Sequence, residues 1–83
     1  MKIRLSQRAE QDYRDLPERE KKDFKKQIQF LMQDLRHPSL RAKRYDIKGD
    51  HALWQARVNQ RYRFYFHIED DVVSILMIKD HPK

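Results

Sequence analysis

Leu53-Trp54-Gln55-Ala56-Arg57-Val58-Asn59-Gln60-Arg61-Tyr62-Arg63-Phe64-Tyr65-Phe66-His67-Ile68 is the stretch on which the fold turns. Apolar residues recur at alternate positions, as Trp54, Ala56 and Val58 and then as Tyr62, Phe64, Phe66 and Ile68. Arg57, Arg63, Tyr65 and His67 occupy the positions between them. Strand side chains point to opposite faces with period two, so the pattern describes paired strands with one apolar face and one cationic, polar face. Register decides whether the two arginines meet. With Asn59-Gln60-Arg61 as a three-residue connection, Val58 opposes Tyr62, Arg57 opposes Arg63, Ala56 opposes Phe64 and Trp54 opposes Phe66. A two-residue turn at Asn59-Gln60 would put Arg63 beside Ala56 on the apolar side, a charge burial costing several kcal/mol. The three-residue connection is therefore expected, and it sets two guanidinium groups side by side. Directly opposed like charges are unfavourable unless an anion comes between them. The plain alternative is a solvated face on which Arg57 and Arg63 pair with Glu69, Asp71 or another carboxylate.

Working outward, residues 2–5 suit a short strand with Ile3 and Leu5 inward. Ser6 suits the N-cap of a helix carrying Ala9, Tyr13 and Leu16. Pro17 belongs to the first turn of a second helix with Glu18 and Glu20 at its positive end. Phe24, Ile28, Leu31 and Leu35 form a stripe along that helix, which is expected to run to His37-Pro38. Two helices with almost no loop between them must cover something, and the Trp54, Phe64 and Phe66 face is the surface large enough. Trp54 is expected to plug the core beneath them. The opposite face, with Arg57 and Arg63, is left open. Residues 72–78 are apolar on both parities, as an interior strand would be, and Asp70-Asp71 makes the turn before them. Pro82 ends the sheet. The expected fold class is α+β: an N-terminal strand and a helix hairpin packed on one face of a small, mainly antiparallel sheet in the order β-α-α-β-β-β, with the other face open and basic.

The 83 residues are expected to form one domain, 1–83, and a chain of this size buries only about 60% of its unfolded surface. Nineteen Lys and Arg against thirteen Asp and Glu give a net charge of +6, which favours a polyanionic partner such as nucleic acid, the ribosome or an acidic protein segment. The absence of cysteine excludes disulfides and Cys-type metal sites. No apolar stretch resembles a signal peptide or membrane span, so a soluble, cytoplasmic protein without membrane contact is expected. Although 39% of residues are charged, one Trp, four Tyr, four Phe and a single glycine, Gly49, argue for a folded chain. Residues 41–48, with Arg41, Lys43, Arg44, Tyr45 and Lys48, read either as a solvated connection into a Gly49-Asp50 turn or as a phosphate-contacting rim with Tyr45 as a stacking surface.

The strand, helix hairpin and basic segment, then Leu53-Trp54-Gln55-Ala56-Arg57-Val58, Tyr62-Arg63-Phe64-Tyr65 and a late Ile78-x-x-His81, together resemble the RelE/ParE superfamily of bacterial type II toxins. The Trp-x-x-Arg-Val to Tyr-Arg-x-Tyr hairpin carries most of the likeness. The resemblance, favouring the RelE/YoeB-like branch, implies a toxin that cuts mRNA in the ribosomal decoding site, against 16S rRNA, without a metal or other cofactor. It also implies a cognate antitoxin as protein partner, expected as an acidic, partly disordered segment that folds across the basic face or displaces the C-terminal histidine. Arg57 falls on the basic position of the first hairpin strand, Arg63 on the arginine of Tyr-Arg, and His81 on the C-terminal histidine, with Lys48 and Lys79 as weaker matches. Family chains often continue past that histidine to an aromatic residue. This sequence ends at Pro82-Lys83, so the resemblance assigns no residue to that position. A ParE-like toxin that inhibits DNA gyrase, and a toxin-like binding domain without activity, are the alternatives.

The chemistry can be stated without the family. Metal-independent RNA cleavage needs a base for the 2′-hydroxyl, cations for the phosphorane and an acid for the leaving 5′-oxygen. Arg57 and Arg63 suit the cationic role, because planar forks match phosphate oxygens. His81 is the best proton carrier, titrating near neutrality, with a lysine among Lys48 and Lys79 as the substitute. Tyr65 would stack on a base or donate to the scissile phosphate. His67 ranks below His81, since Ser74 would simply oppose it as a polar pair. His37 and His51 read as loop residues, and the four histidines lack metal-site spacing, so no metal is expected.

Overall fold

A computed structural model describes residues 1–45 and 52–80. Strand β1, Lys2–Leu5, leads into helices α1, Gln7–Asp15, and α2, Glu18–Gln33. A single 3-10 turn, Pro38–Leu40, precedes β2, Lys43–Tyr45, and then β3, Leu53–Arg57, β4, Tyr62–Glu69, and β5, Val72–Asp80. The sheet order is β1-β5-β4-β3-β2, with β1 parallel to β5 and every other pair antiparallel. No helix among the described residues is long and apolar enough to cross a membrane.

The hairpin adopts the register that burial demands. Trp54 pairs with Phe66, Ala56 with Phe64 and Arg57 with Arg63, and the Val58 amide donates to the Tyr62 carbonyl at 3.0 Å. Phe64, Phe66, Val73 and Ile75 are sealed beneath Ala9, Phe24 and Leu31 of the two helices and Leu16 between them. The Phe24 ring meets Phe64 edge-on at 5.4 Å, the arrangement that ring quadrupoles favour. Trp54 stacks on Phe66 at 6.1 Å but stays half-buried, so it flanks the core rather than plugging it.

Ser6 caps α1 as its position predicts: its Oγ accepts the Ala9 amide at 3.0 Å. The same Oγ donates to the Leu76 carbonyl at 2.7 Å, and Asp12 Oδ2 accepts the Ile78 amide at 3.0 Å. Strand β1 is only four residues long and pairs no further than Ile75, so the far half of β5 would present bare backbone groups. Side chains of the cap and of α1 satisfy that edge instead.

Two further expectations are corrected. Helix α2 ends at Gln33, not at His37-Pro38, because the Asp34 carboxylate accepts the Arg36 amide at 2.9 Å and offers the chain a local turn in place of another helical one. The basic segment is not merely a connection. Lys43–Tyr45 forms a fifth, edge strand on β3, with Lys43 opposite Gln55 and Tyr45 opposite Leu53. The apolar character of β5 on both parities has a second cause besides its interior place. A bulge falls between Tyr65↔Met77 and Phe66↔Ile75, so the buried parity switches from Val73 and Ile75 to Ile78. The expected Gly49-Asp50 turn lies outside the described residues, as does His51.

Candidate functional site

The sheet face away from the helices carries cross-strand rows of side chains set by the register. One row runs Arg57, Arg63, Lys79 across β3, β4 and β5, three cations in adjacent positions. The next runs Lys43, Gln55, Tyr65, Met77. Arg41 joins them from outside the sheet. It closes the 3-10 turn in the left-handed region at φ 45°, an uncommon place for a side chain bearing a Cβ.

These residues enclose a cavity of about 250 Å³ lined by Arg41, Lys43, Tyr45, Gln55, Arg57 and Arg63. The Tyr45 hydroxyl donates to Gln55 Oε1 at 2.9 Å and forms a neutral polar wall. Among the described residues the side chains of Arg41, Lys43 and Arg57 make no ion pair or hydrogen bond, so no carboxylate neutralises the cavity. Neither Arg57 nor Arg63 pairs with an acid among the described residues, as the solvated alternative would require.

Arg63 differs from the expectation of two equally bare guanidiniums. It is only 8% exposed, and its Nη1 donates to the carbonyls of Asn59, Gln60 and Tyr62 at 2.8, 3.1 and 3.1 Å. The hairpin connection curls over one edge of the fork. Its Nε and Nη2 have no partner, and no buried side-chain nitrogen or oxygen among the described residues lacks one, so that second edge opens to solvent at the cavity. Burial first, then the charges of Arg57 and Arg41, hold the Arg63 guanidinium below its ordinary pKa, against an opposing influence of Tyr65. Arginine has so high a starting value that the group stays a cation.

Two polar side chains that the sequence reading passed over hold this site. Gln27 of α2 is 4% exposed, and its Nε2 donates to the carbonyls of Ser39 at 3.0 Å and Arg57 at 2.8 Å. Its Oε1 accepts from Ser39 Oγ at 2.8 Å, so both amide hydrogens and the amide oxygen are engaged. One side chain thus joins the 3-10 turn that delivers Arg41 to the strand that delivers Arg57. The signal was present in the sequence, since Gln27 stands three residues after Phe24 and four before Leu31, a polar residue on the apolar stripe. Asn59 fixes the hairpin tip: its Oδ1 accepts the Arg61 and Tyr62 amides, both at 2.9 Å, and its Nδ2 donates to Asp23 Oδ2 at 3.0 Å.

The other residues named from the sequence separate. Tyr65 stands in the second row, half-buried, and Lys79 lies exposed at the end of the cation row. Arg44 pairs opposite Trp54 and shares its face, so β2 carries it away from the cavity that Lys43 and Tyr45 line. His67 opposes Ser74 as expected, and its Nδ1 lies 2.9 Å from the Ala52 carbonyl. His37 stacks on Phe30 at 3.9 Å and accepts the Ser39 amide through Nδ1. Lys48 and His81 lie outside the described residues.

The fold is shared with solved toxins. The archaeal RelE-RelB complex from Pyrococcus horikoshii OT3 matches at 20% identity and a TM-score of 0.79, over 95% of this chain and 92% of that one. The YoeB/ParE toxin from Agrobacterium tumefaciens matches at 17% and 0.77, over 99% and 100%. The intact E. coli RelBE toxin-antitoxin complex matches at 15% and 0.73, over 99% and 98%. No curated protein sequence matches. The family model described as the ParE toxin of the type II toxin-antitoxin system, parDE, matches residues 3–82, nearly the whole chain, and the protein therefore belongs to that toxin family within the RelE/ParE superfamily.

Proposed function

We propose that this type II toxin binds RNA through the Arg41, Lys43, Arg57 and Arg63 cavity and cuts mRNA in the ribosomal decoding site, without a metal. The observation that carries the reading is the row Arg57, Arg63, Lys79 beside a cavity that no acid among the described residues neutralises. Placing like charges together costs stability unless a polyanion arrives, and a phosphodiester is the ligand whose oxygens fit planar forks. In the reaction the RNA 2′-oxygen attacks phosphorus and the bond to the 5′-oxygen breaks, leaving a 2′,3′-cyclic phosphate and a 5′-hydroxyl. Arg57 and the free edge of Arg63 stabilise the phosphorane, and Lys43, Arg41 and Lys79 hold flanking phosphates. Arg44, which β2 turns to the Trp54 face, takes no part in that rim. Tyr65 stacks on a base or donates to phosphate, and His81, two residues beyond Lys79 in the chain, carries the proton. A cognate antitoxin covers the same surface through an acidic segment that folds on contact; the RelE-RelB and RelBE complexes among the structural neighbours support a partner of this kind.

The test is induced expression with mapping of mRNA ends. Wild type should arrest growth and leave messages cut within codons, and Arg57→Ala should do neither. Arrest with intact messages would overturn the nuclease reading. A second reading, inhibition of DNA gyrase, draws support from the match to the ParE toxin family. Loss of supercoiling activity with undamaged mRNA would establish it in place of the first.

A further inference from the structure

Arg57 borders two cavities. One is the cationic cleft; the other, of about 290 Å³, lies between α2, the 3-10 turn and the hairpin connection, with Asp23, Lys26 and Gln60 on its walls and the Gln27 and Ser39 pair as its floor. The chemistry of the two differs. The floor of the second has its donors committed, because Gln27 Nε2 donates to the Ser39 and Arg57 carbonyls and Ser39 Oγ donates to Gln27 Oε1. Its negative group is Asp23, whose Oδ2 accepts from Asn59. Asp23 Oδ1 has no partner, and since no unpaired side-chain oxygen is buried among the described residues, it opens to solvent. A carboxylate tied at one oxygen and free at the other, lining the same cavity as Arg57, repels phosphate and accepts hydrogen bonds.

We propose that this cavity is a second subsite, which receives the nucleobase next to the phosphate held in the cationic cleft and selects bases that present an exocyclic amino group to Asp23. The inference rests on the RNA-binding reading above. Cytosine offers its N4 amino group to a carboxylate, a pairing used in base readout. Uracil has at that position an acceptor oxygen, and its one N–H donor is flanked by two such oxygens, so the carboxylate disfavours it. The asymmetry follows from Asp23 being anchored, because Asn59 leaves the carboxylate little freedom to turn away.

The experiment measures binding of short oligocytidylate and oligouridylate RNA by fluorescence anisotropy, with wild type, Asp23→Asn and Asp23→Ser, each checked by its denaturation midpoint. Wild type should prefer oligocytidylate about tenfold, in keeping with the discrimination carried by a base contact of this kind. Asp23→Asn still offers Asn59 an acceptor, and its loss of negative charge should leave oligouridylate binding equal or tighter while oligocytidylate weakens and the preference disappears. Asp23→Ser should lose the preference in the same way. A general structural defect would weaken both ligands together, and that result overturns the subsite. Wild type binding both RNAs equally overturns the subsite alone, whereas wild type binding neither overturns the RNA reading of the cleft and the subsite with it.

Discussion

The two faces of one β-hairpin, built from alternating residues of the same strands, obey opposite rules. On the face under the helices, Ala56, Phe64 and Phe66 are sealed among apolar neighbours. On the other, Arg57, Arg63 and Lys79 stand in a row without a carboxylate among the described residues. The first face lowers the free energy of folding by removing apolar surface from water. The second raises it through mutual repulsion. Within the row Arg63 also serves the fold, through its three contacts to backbone carbonyls, whereas Arg57 and Lys79 add repulsion alone, and the difference separates what holds the molecule together from what it presents to a ligand.

The contrast breaks most sharply at Phe64. Phe64→Ala should lower stability by about 3–5 kcal/mol, since the ring is fully enclosed and the helices cannot collapse onto the space it leaves. Chemical denaturation measures this directly, and a loss below about 1 kcal/mol would mean the core is not centred there. Gln27→Met tests the link between the two faces. It removes two hydrogen bonds to carbonyls and one from Ser39, and should cost about 2 kcal/mol while also loosening Arg41 and Arg57. RNA affinity measured under conditions where the variant remains folded should fall as well; unchanged affinity would show that the cleft holds its shape without the clamp. Ser6→Ala lies far from the cleft and should cost about 1 kcal/mol with no change in RNA binding.

How much of this could be read from the sequence follows from where the determinants lie. Hairpin register was legible because alternation leaves one pairing that keeps every arginine off the apolar side. Ser6 and the helix stripe were legible for the same local reason. Strand β2 was not: Lys43-Arg44-Tyr45 has no apolar alternation, and it is a strand because β3 has an edge to offer it. The end of α2 depended on one Asp34 hydrogen bond, and the β5 bulge on the match between two strands, neither of which leaves a periodic signal. At the site, the meeting of Arg57 and Arg63 was legible, but their inequality was not, because it comes from backbone carbonyls folding back over Arg63 Nη1. The roles of Gln27 and Asn59 come from contacts far apart in the chain. Lys48 and His81 lie outside the described residues.

The most direct test of the division between the faces is Arg57→Ala, with folding stability and the salt dependence of RNA binding measured on the same protein. The expected result is stability unchanged within about 0.5 kcal/mol or slightly raised, together with weaker RNA binding and a salt slope smaller by about 1. A variant that loses stability while binding RNA with the wild-type affinity and slope would contradict it, and would return the arginine row to the fold.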